Sequence, residues 1–122
     1  PIDNEMFRMI VQQSPIGYDL ADPAITPVQL NVVNLGNVQM LTIPGEALPN
    51  IGFYLKRKMH GEHNMLLGLT NDHIGYILLK EDWNSFSRYD YVTHSSMGEM
   101  TGEILIEEGL ALVGAAPRPV SP

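Results

Sequence analysis

Apolar and polar positions alternate in the first half of the chain in a way that predicts a β-hairpin. Between residues 28 and 35 the alternation holds at first and then shifts phase, which is typical of a strand with a β-bulge. Gly36 and Asn37 form a two-residue turn signal, because glycine adopts positive φ without steric cost. Residues 38–43 then supply the partner strand.

The apolar period becomes helical after the hairpin. Residues 46–59 carry an apolar stripe, and Pro49 sets the helix start near residues 46–48, because proline is tolerated only in the first turn. The Lys-Arg-Lys run at 56–58 occupies the last turn, where cations complement the helix dipole. Adjacent cations point in different directions around a helix, which favours a solvated helix end over an anion-binding patch.

The remaining segments predict shorter elements. The pattern indicates a helix over 1–13, a loop over 14–27, a buried strand over 64–70, a short apolar segment over 75–79, a long ordered loop over 80–96 and a helix over 101–113. Gly114 follows the last helix as its stop signal.

The order of these elements predicts an α/β (α+β) fold, in which helices pack on a small mixed sheet that contains the hairpin. The chain has 122 residues, of which 44% are hydrophobic, so a modest core is expected and general disorder is excluded. We expect residues 1–114 to form one unit and residues 115–122, which include three prolines, to form a flexible tail.

Composition excludes several classes of function. Fourteen acidic residues against seven basic ones give a net charge of −7, so the chain lacks the basic surface that nucleic-acid binding requires. The absence of cysteine excludes disulfides, thiolate metal ligands and cysteine nucleophiles. No apolar run approaches the ~20 residues of a transmembrane helix, so no transmembrane segment is expected.

The four histidines give no diagnostic metal pattern. His60 and His63 have an HxxH spacing, but Gly61 lies between them where the helix should end, which favours a solvated loop. His73 and His94 stand singly in predicted loops, and no carboxylate or nucleophile lies at a diagnostic spacing from either.

Two further features leave a choice open. The aromatic residues Trp83, Phe86, Tyr89 and Tyr91 lie in an otherwise polar loop, where they line a lipid or ligand cleft or anchor the loop on the core. The Pro-Gly-Glu sequence at 44–46 ends a strand with a carboxylate, a position that faces the crevice beyond a sheet edge in α/β folds. On spacing alone, the simpler interpretation of Glu46 is an acidic residue that stabilises a helix N-terminus by ~0.3–1 kcal/mol.

Several motifs together resemble the neutral/alkaline ceramidase family, and they lie at 41–46, 68–71, 75–76, 88–91 and 102–105. The resemblance covers roughly residues 28–113 and corresponds to the C-terminal part of that family's catalytic domain. It implies a zinc amidase that splits a fatty acyl chain from sphingosine. It also implies that Glu46, from the Pro-Gly-Glu motif, and Tyr76, which follows the Gly-Leu-x-Asn motif, are zinc ligands.

The chain departs from the family pattern in three respects. The family's other two zinc ligands are histidines from an upstream part of the domain, which no segment of this chain matches, and the four histidines of this chain do not occupy those positions. Residues 83–86 replace a pattern that is often Tyr followed by Gly-Gly, and the family's distal immunoglobulin-like domain has no counterpart. We therefore expect a C-terminal segment of a larger catalytic domain.

The resemblance implies a site that is shared with the rest of that domain. The upstream part of the same catalytic domain would complete the zinc site, and the chain by itself would be inactive. The substrate would be an N-acyl lipid such as ceramide, hydrolysed by zinc-activated water, in a secreted or membrane-surface location.

Two rival hypotheses come from other functional classes. The chain is alternatively a complete small binding or assembly module, in which the acidic surface and the aromatic loop serve a protein or lipid partner. The length of the natural gene product separates this module from the enzyme. A third hypothesis is a standalone metal protein that uses His60 and His63.

Overall fold

The hairpin is the first element of the structure, a computed structural model in which residues 27–120 are described. Strand β1 (Val32–Leu35) pairs antiparallel with β2 (Val38–Thr42) across the predicted turn, where Gly36 has φ of 57°. The pairing is continuous along β1, so the predicted bulge is wrong. The alternation of apolar positions changes phase because residues 28–31 lie before the strand, which begins only at Val32. The predicted helix over 1–13, and all but the last residue of the loop over 14–27, lie outside the described residues.

Strand β4 (His63–Leu67) lies parallel to β2 and completes a three-stranded sheet in the order β1-β2-β4. This confirms a strand close to the predicted segment, but the expected burial is wrong, because no residue of β4 is buried and Leu66 is only partly buried against the core. Met65 is 49% exposed, because it pairs with Met40 on the sheet face opposite the helices. The other face is the inner one, and Leu41 is fully buried there.

Helix α1 (Pro49–Lys58) begins later than predicted, because the residues before it form a strand. Strand β3 (Glu46–Ala47) pairs parallel with β5 (Tyr76–Ile77) in a second, two-stranded sheet. The Leu48 N–H donates to the Ile77 carbonyl at 3.0 Å, so the chain keeps pairing until Pro49, which has no N–H to donate. The predicted helix start near 46–48 is therefore wrong.

The C-terminal third contains more helix than the sequence predicted. A 3₁₀ turn (Ser87–Tyr89) and helix α2 (Asp90–His94) lie inside the segment expected to be loop, since one short turn leaves no readable period. Helix α3 (Thr101–Ala115) starts where predicted but runs through Gly114. The helical hydrogen bonds continue past Gly114, because the Ala116 N–H donates to the Leu112 carbonyl at 3.0 Å.

Helices α1 and α3 pack together over the inner face of the three-stranded sheet. The core is formed by aliphatic side chains from every layer: Leu41, Ile43, Ile51, Leu55, Met59, Ile74, Ile77, Leu105 and Val113. An ideal Cβ on Gly109 would lie 3.2 Å from Leu41 and 3.9 Å from Leu55, so this glycine lets α3 approach closely. The architecture confirms helices on a small mixed sheet with a hairpin.

Residues beyond α3 run back along the hairpin. The Asn34 side-chain amide donates to the Pro117 carbonyl at 2.6 Å, and the Val120 N–H donates to the Gly36 carbonyl at 3.1 Å. The division of the chain at residue 114 and the flexibility of the tail stay predictions. Within residues 27–120, none of the helices has the length and apolar character needed to cross a bilayer.

We predict opposite effects for two glycine substitutions in α3. A Cβ on Gly102 would lie 2.3 Å from the Leu78 carbonyl oxygen, whereas a Cβ on Gly114 meets no atom within 4 Å. Gly102→Ala should lower the free energy of unfolding by about 1–3 kcal/mol through overpacking. Gly114→Ala should raise it by about 0.5–1 kcal/mol, because alanine loses less backbone entropy in a helix.

Urea unfolding of the full chain checks both values, and Gly114→Ala serves as the matched control for Gly102→Ala. Equal effects of the two substitutions would show that the close contact between α3 and the residue after β5 is absent in solution.

Candidate metal centre

The two sequence motifs meet through backbone pairing of β3 with β5. The Ile74 N–H donates to the Pro44 carbonyl at 2.8 Å, and the Glu46 N–H donates to the Gly75 carbonyl at 2.9 Å. A Cβ on Gly45 would lie only 2.4 Å from the Gly75 carbonyl oxygen. Glycine is therefore required in the Pro-Gly-Glu motif for the two segments to approach.

A third segment joins on the other side of β5. Gly75 has φ of 86°, and a Cβ there would lie 2.0 Å from the Ser95 carbonyl oxygen. The Tyr76 N–H donates to that same carbonyl at 3.1 Å, and Tyr76 forms a parallel bridge with Ser96. The segment after α2 thus extends the two-stranded sheet by one residue pair.

Glu46, Tyr76 and Ser96 consequently form a row across three parallel segments. Register partners in a sheet present their side chains on the same face, so the carboxylate, the phenol and the hydroxyl are neighbours. Glu46 is exposed, Tyr76 is half-buried and Ser96 is buried. Within the described residues, the Ser96 hydroxyl has no hydrogen-bond partner.

The electrostatics of the row centre on Tyr76. The negative charge of Glu46 raises the pKa of the Tyr76 phenol above its ordinary value, since it opposes formation of the phenolate. Partial burial, the neighbouring Tyr91 and a hydrogen bond from the phenol to Glu46 raise this pKa further. Without a cation, the site therefore keeps Tyr76 protonated and hydrogen-bonded to the carboxylate.

The aromatic loop contributes directly to this site through Tyr91. Its ring meets the Tyr76 ring edge-to-face with 5.8 Å between centroids, and 62% of Tyr91 is exposed. Phe86 is also exposed and pairs with Tyr89 at 5.8 Å, with the Arg88 guanidinium 5.5 Å from both rings. The exposure of Tyr91 and Phe86 favours a surface role for these two rings over anchoring in the core.

Sequence reasoning did not assign Tyr91 or Ser96 to the same site as Tyr76. In the sequence, Tyr91 belongs to the four aromatic residues and to the motif at 88–91, neither of which assigns it to the metal centre, and Ser96 was given no functional role. Neither position carries a local pattern that reveals pairing with a strand some twenty residues away. The close approach of Gly75 to Ser95 is the feature that brings both side chains there.

The histidines lie at separate places in the fold. His60 follows α1 and is half-buried, His63 begins β4, His73 is exposed before β5, and His94 ends α2. The His94 Nδ1 atom lies 2.6 Å from the Asp90 carbonyl oxygen, and no hydrogen-bond partner within the described residues reaches Nδ1 of His60. Within residues 27–120, no three His, Asp or Glu side chains cluster as a metal site.

The oxygen donors that do come together, from Glu46 and Tyr76, are of types that zinc binds. A carboxylate oxygen is a common zinc ligand, and a phenol oxygen binds once the metal charge favours its ionisation. Catalytic zinc needs three protein ligands and an open position. Glu46 and Tyr76 therefore offer two oxygen donors, which is fewer than a catalytic zinc requires.

An apolar groove lies on the other side of β5. Ile77 alternates with Tyr76 along the strand, so its side chain points away from the row and into this groove. The cavity measures about 430 Å³ and is lined by Val28, Leu30, Pro44, Ile74, Ile77, Thr101, Ile104, Leu105, Glu108 and Leu112. It is separate from the oxygen donors of the candidate metal centre.

Comparison with known proteins supports the fold. No protein-family profile matches the sequence, and no curated protein sequence does. The crystal structure of neutral ceramidase from Pseudomonas aeruginosa is similar to this chain, with a TM-score of 0.54 and 18% sequence identity. The match covers 76% of this chain but 16% of the ceramidase chain. The chain therefore has a ceramidase-like α/β fold over the matched part.

We predict that Glu46→Gln lowers the pKa of Tyr76, because it removes the charge that opposes the phenolate. An NMR titration of ¹³C-labelled tyrosine measures this pKa, with Tyr76→Phe identifying the resonance. The folded pKa lies above that of an unfolded tyrosine, about 10. The folded chain therefore keeps this proton up to a higher pH than the unfolded chain does. Consequently, the free energy of unfolding should fall as pH rises from about 10 through the folded pKa.

The Glu46→Gln variant should lose less stability over the same alkaline range. Glu99→Gln is the matched control, since it removes an exposed carboxylate outside the row. An unchanged Tyr76 pKa in Glu46→Gln would contradict the pairing of these two side chains.

Proposed function

We propose that this chain is the C-terminal portion of a zinc-dependent amidohydrolase that resembles neutral ceramidase and hydrolyses an N-acyl amide such as ceramide. The observation that carries the proposal is the parallel pairing of Glu46 with Tyr76, which sets a carboxylate beside a phenol. The ceramidase-like fold around this pair supports the same assignment.

Glu46 and Tyr76 would hold the zinc ion. When bound, zinc lowers the pKa of a water ligand and polarises the amide carbonyl. Glu46 contributes the fixed negative charge, and Tyr76 must release its proton to bind. Because Glu46 disfavours the phenolate in the free chain, Tyr76 would release its proton near neutral pH only if the charge of a bound cation favoured the phenolate.

The remaining ligands would come from another part of the catalytic domain. The chain spans 16% of the length of the ceramidase that it resembles. The sequence resemblance to that family implies two further histidine ligands upstream. The exposed ring of Tyr91, which meets the ring of Tyr76, supplies apolar surface suited to an acyl chain. By itself, the chain would bind zinc weakly and would not hydrolyse substrate.

Substitution of either proposed zinc ligand tests this function in the full-length protein that contains this chain. Glu46→Gln and Tyr76→Phe should each reduce zinc content and lower amide hydrolysis by more than ~100-fold, since loss of a group that only hydrogen-bonds to a metal ligand already costs ~10–100-fold. Metal analysis and fatty-acid release from an N-acylsphingosine measure the two effects. Glu99→Gln is the matched control, at an exposed position outside the row. Undiminished activity in Glu46→Gln would rule out the assignment.

A second prediction concerns the isolated 122-residue chain. Calorimetric titration with zinc should show weak binding that strengthens as pH rises, because the Tyr76 proton must leave. Tyr76→Phe should remove this pH dependence. Tight stoichiometric zinc binding by the isolated chain would contradict a site that needs further ligands from another part of the domain. If His63→Ala abolished that tight binding, the result would point instead to a standalone site at His60 and His63.

A further inference from the structure

The outward side of α1 combines aromatic and cationic side chains. Phe53 and Tyr54 are 56% and 44% exposed, which is unusual for rings on a helix that also contributes to the core. Lys56, Arg57 and Lys58 are exposed beside them. The helix contains no acidic residue.

These five residues lie on one broad side of the helix. Residues four apart are neighbours on a helix, which places Arg57 beside Phe53 and Lys58 beside Tyr54. The Lys56 ammonium lies 5.6 Å from the Phe53 ring centre, and that of Lys58 lies 5.8 Å from the Tyr54 ring centre. The cations do spread around the helix as the sequence predicted. The part of the helix surface over which the three cations spread is nevertheless exposed, so Lys56, Arg57 and Lys58 form a patch together with the two rings.

The opposite side of α1 is fully engaged with the core. Ile51 and Leu55 are completely buried, and Met59 is 6% exposed just after the helix. The position of α1 is therefore determined by the core, and the rings of Phe53 and Tyr54 are not needed to hold it. Their exposure calls for a partner outside the described part of the chain.

The charge of the patch indicates what kind of partner it fits. The chain carries a net charge of −7 and has seven Lys and Arg residues, and three of the seven lie on this one helix end. An anionic partner is attracted here and repelled by most of the remaining surface. Aromatic rings flanked by lysine and arginine are typical of helices that lie in the headgroup region of a bilayer. The patch is the convex side of a helix, and a fluid bilayer needs no shape complementarity.

We propose that α1 docks on the surface of a lipid bilayer that contains anionic headgroups. Phe53 and Tyr54 enter the headgroup region, and Lys56, Arg57 and Lys58 contact lipid phosphates. Glu46 lies three residues before α1 begins, at the end of the helix opposite to its cationic last turn. The proposal does not depend on zinc or on amide hydrolysis.

Cosedimentation of the full chain with vesicles tests the proposal. The chain should bind vesicles of phosphatidylcholine mixed with phosphatidylglycerol, bind pure phosphatidylcholine far less, and release as salt is raised. Arg57→Gln should lower the partition coefficient about fivefold, the equivalent of ~1 kcal/mol per cation near an anionic surface. Phe53→Ser should lower it by a similar or larger factor, because the ring no longer enters the interface.

Two matched controls separate α1 from the rest of the surface. Arg118→Gln removes an exposed arginine and Phe86→Ser removes a ring of nearly equal exposure, 59%, and neither residue belongs to α1. Both should leave vesicle binding unchanged. Far-UV circular dichroism confirms that each variant is folded, and since Phe53 and Arg57 point away from the core, all four should be.

Three outcomes would overturn the proposal. The first is the absence of binding to the anionic vesicles. The second is an equal loss in the control variants, which would place the contact elsewhere. The third is binding to heparin that equals vesicle binding and is indifferent to Phe53→Ser, which would indicate a soluble polyanion. Glu46→Gln should keep full vesicle binding, so failure of the zinc assignment and failure of this one are distinguishable.

Discussion

The candidate site depends on one backbone constraint. Residues 44–46 lie close to residues 74–76, and residues 74–76 lie close to the segment that follows α2. Gly45 and Gly75 make that approach sterically feasible, because a Cβ at either position would collide with a carbonyl oxygen of the neighbouring segment. The parallel register that results is the reason why Glu46, Tyr76 and Ser96 form a row. A side chain on either glycine would separate the segments and disperse the oxygen donors.

Strands of two residues cannot hold such an arrangement by themselves, so the surrounding core must do so. The Leu48 N–H bonds to Ile77 before α1 begins, and the Gly102 N–H bonds to Leu78 where α3 begins. Ile77 and Leu78 are completely buried, which fixes both ends of this connection. The helices thus stabilise the short sheet as well as covering the three-stranded one.

The site and the surface of α1 differ in how they stand in the free chain. The phenol of Tyr76 keeps its proton and donates a hydrogen bond to Glu46, so this pair is stable near neutral pH and is weakened only when the proton leaves. The exposed rings of Phe53 and Tyr54 gain nothing comparable from water. Under the two proposals, a cation would replace the Tyr76 proton, and an anionic, partly apolar surface would cover the two rings.

Local sequence patterns were sufficient for the hairpin, for the cationic end of α1 and for the start of α3, because periodicity and turn chemistry act over a few residues. The motif residues Glu46 and Tyr76 were also identifiable from sequence, through resemblance. Only the tertiary structure placed Glu46 in a strand instead of a helix, set it beside Tyr76, and brought Tyr91 and Ser96 to the same place. These contacts join segments that are far apart in the chain. They form because Gly45 fits against the Gly75 carbonyl and Gly75 fits against the Ser95 carbonyl, and the periodicity of a short sequence segment contains no information on such long-range pairing.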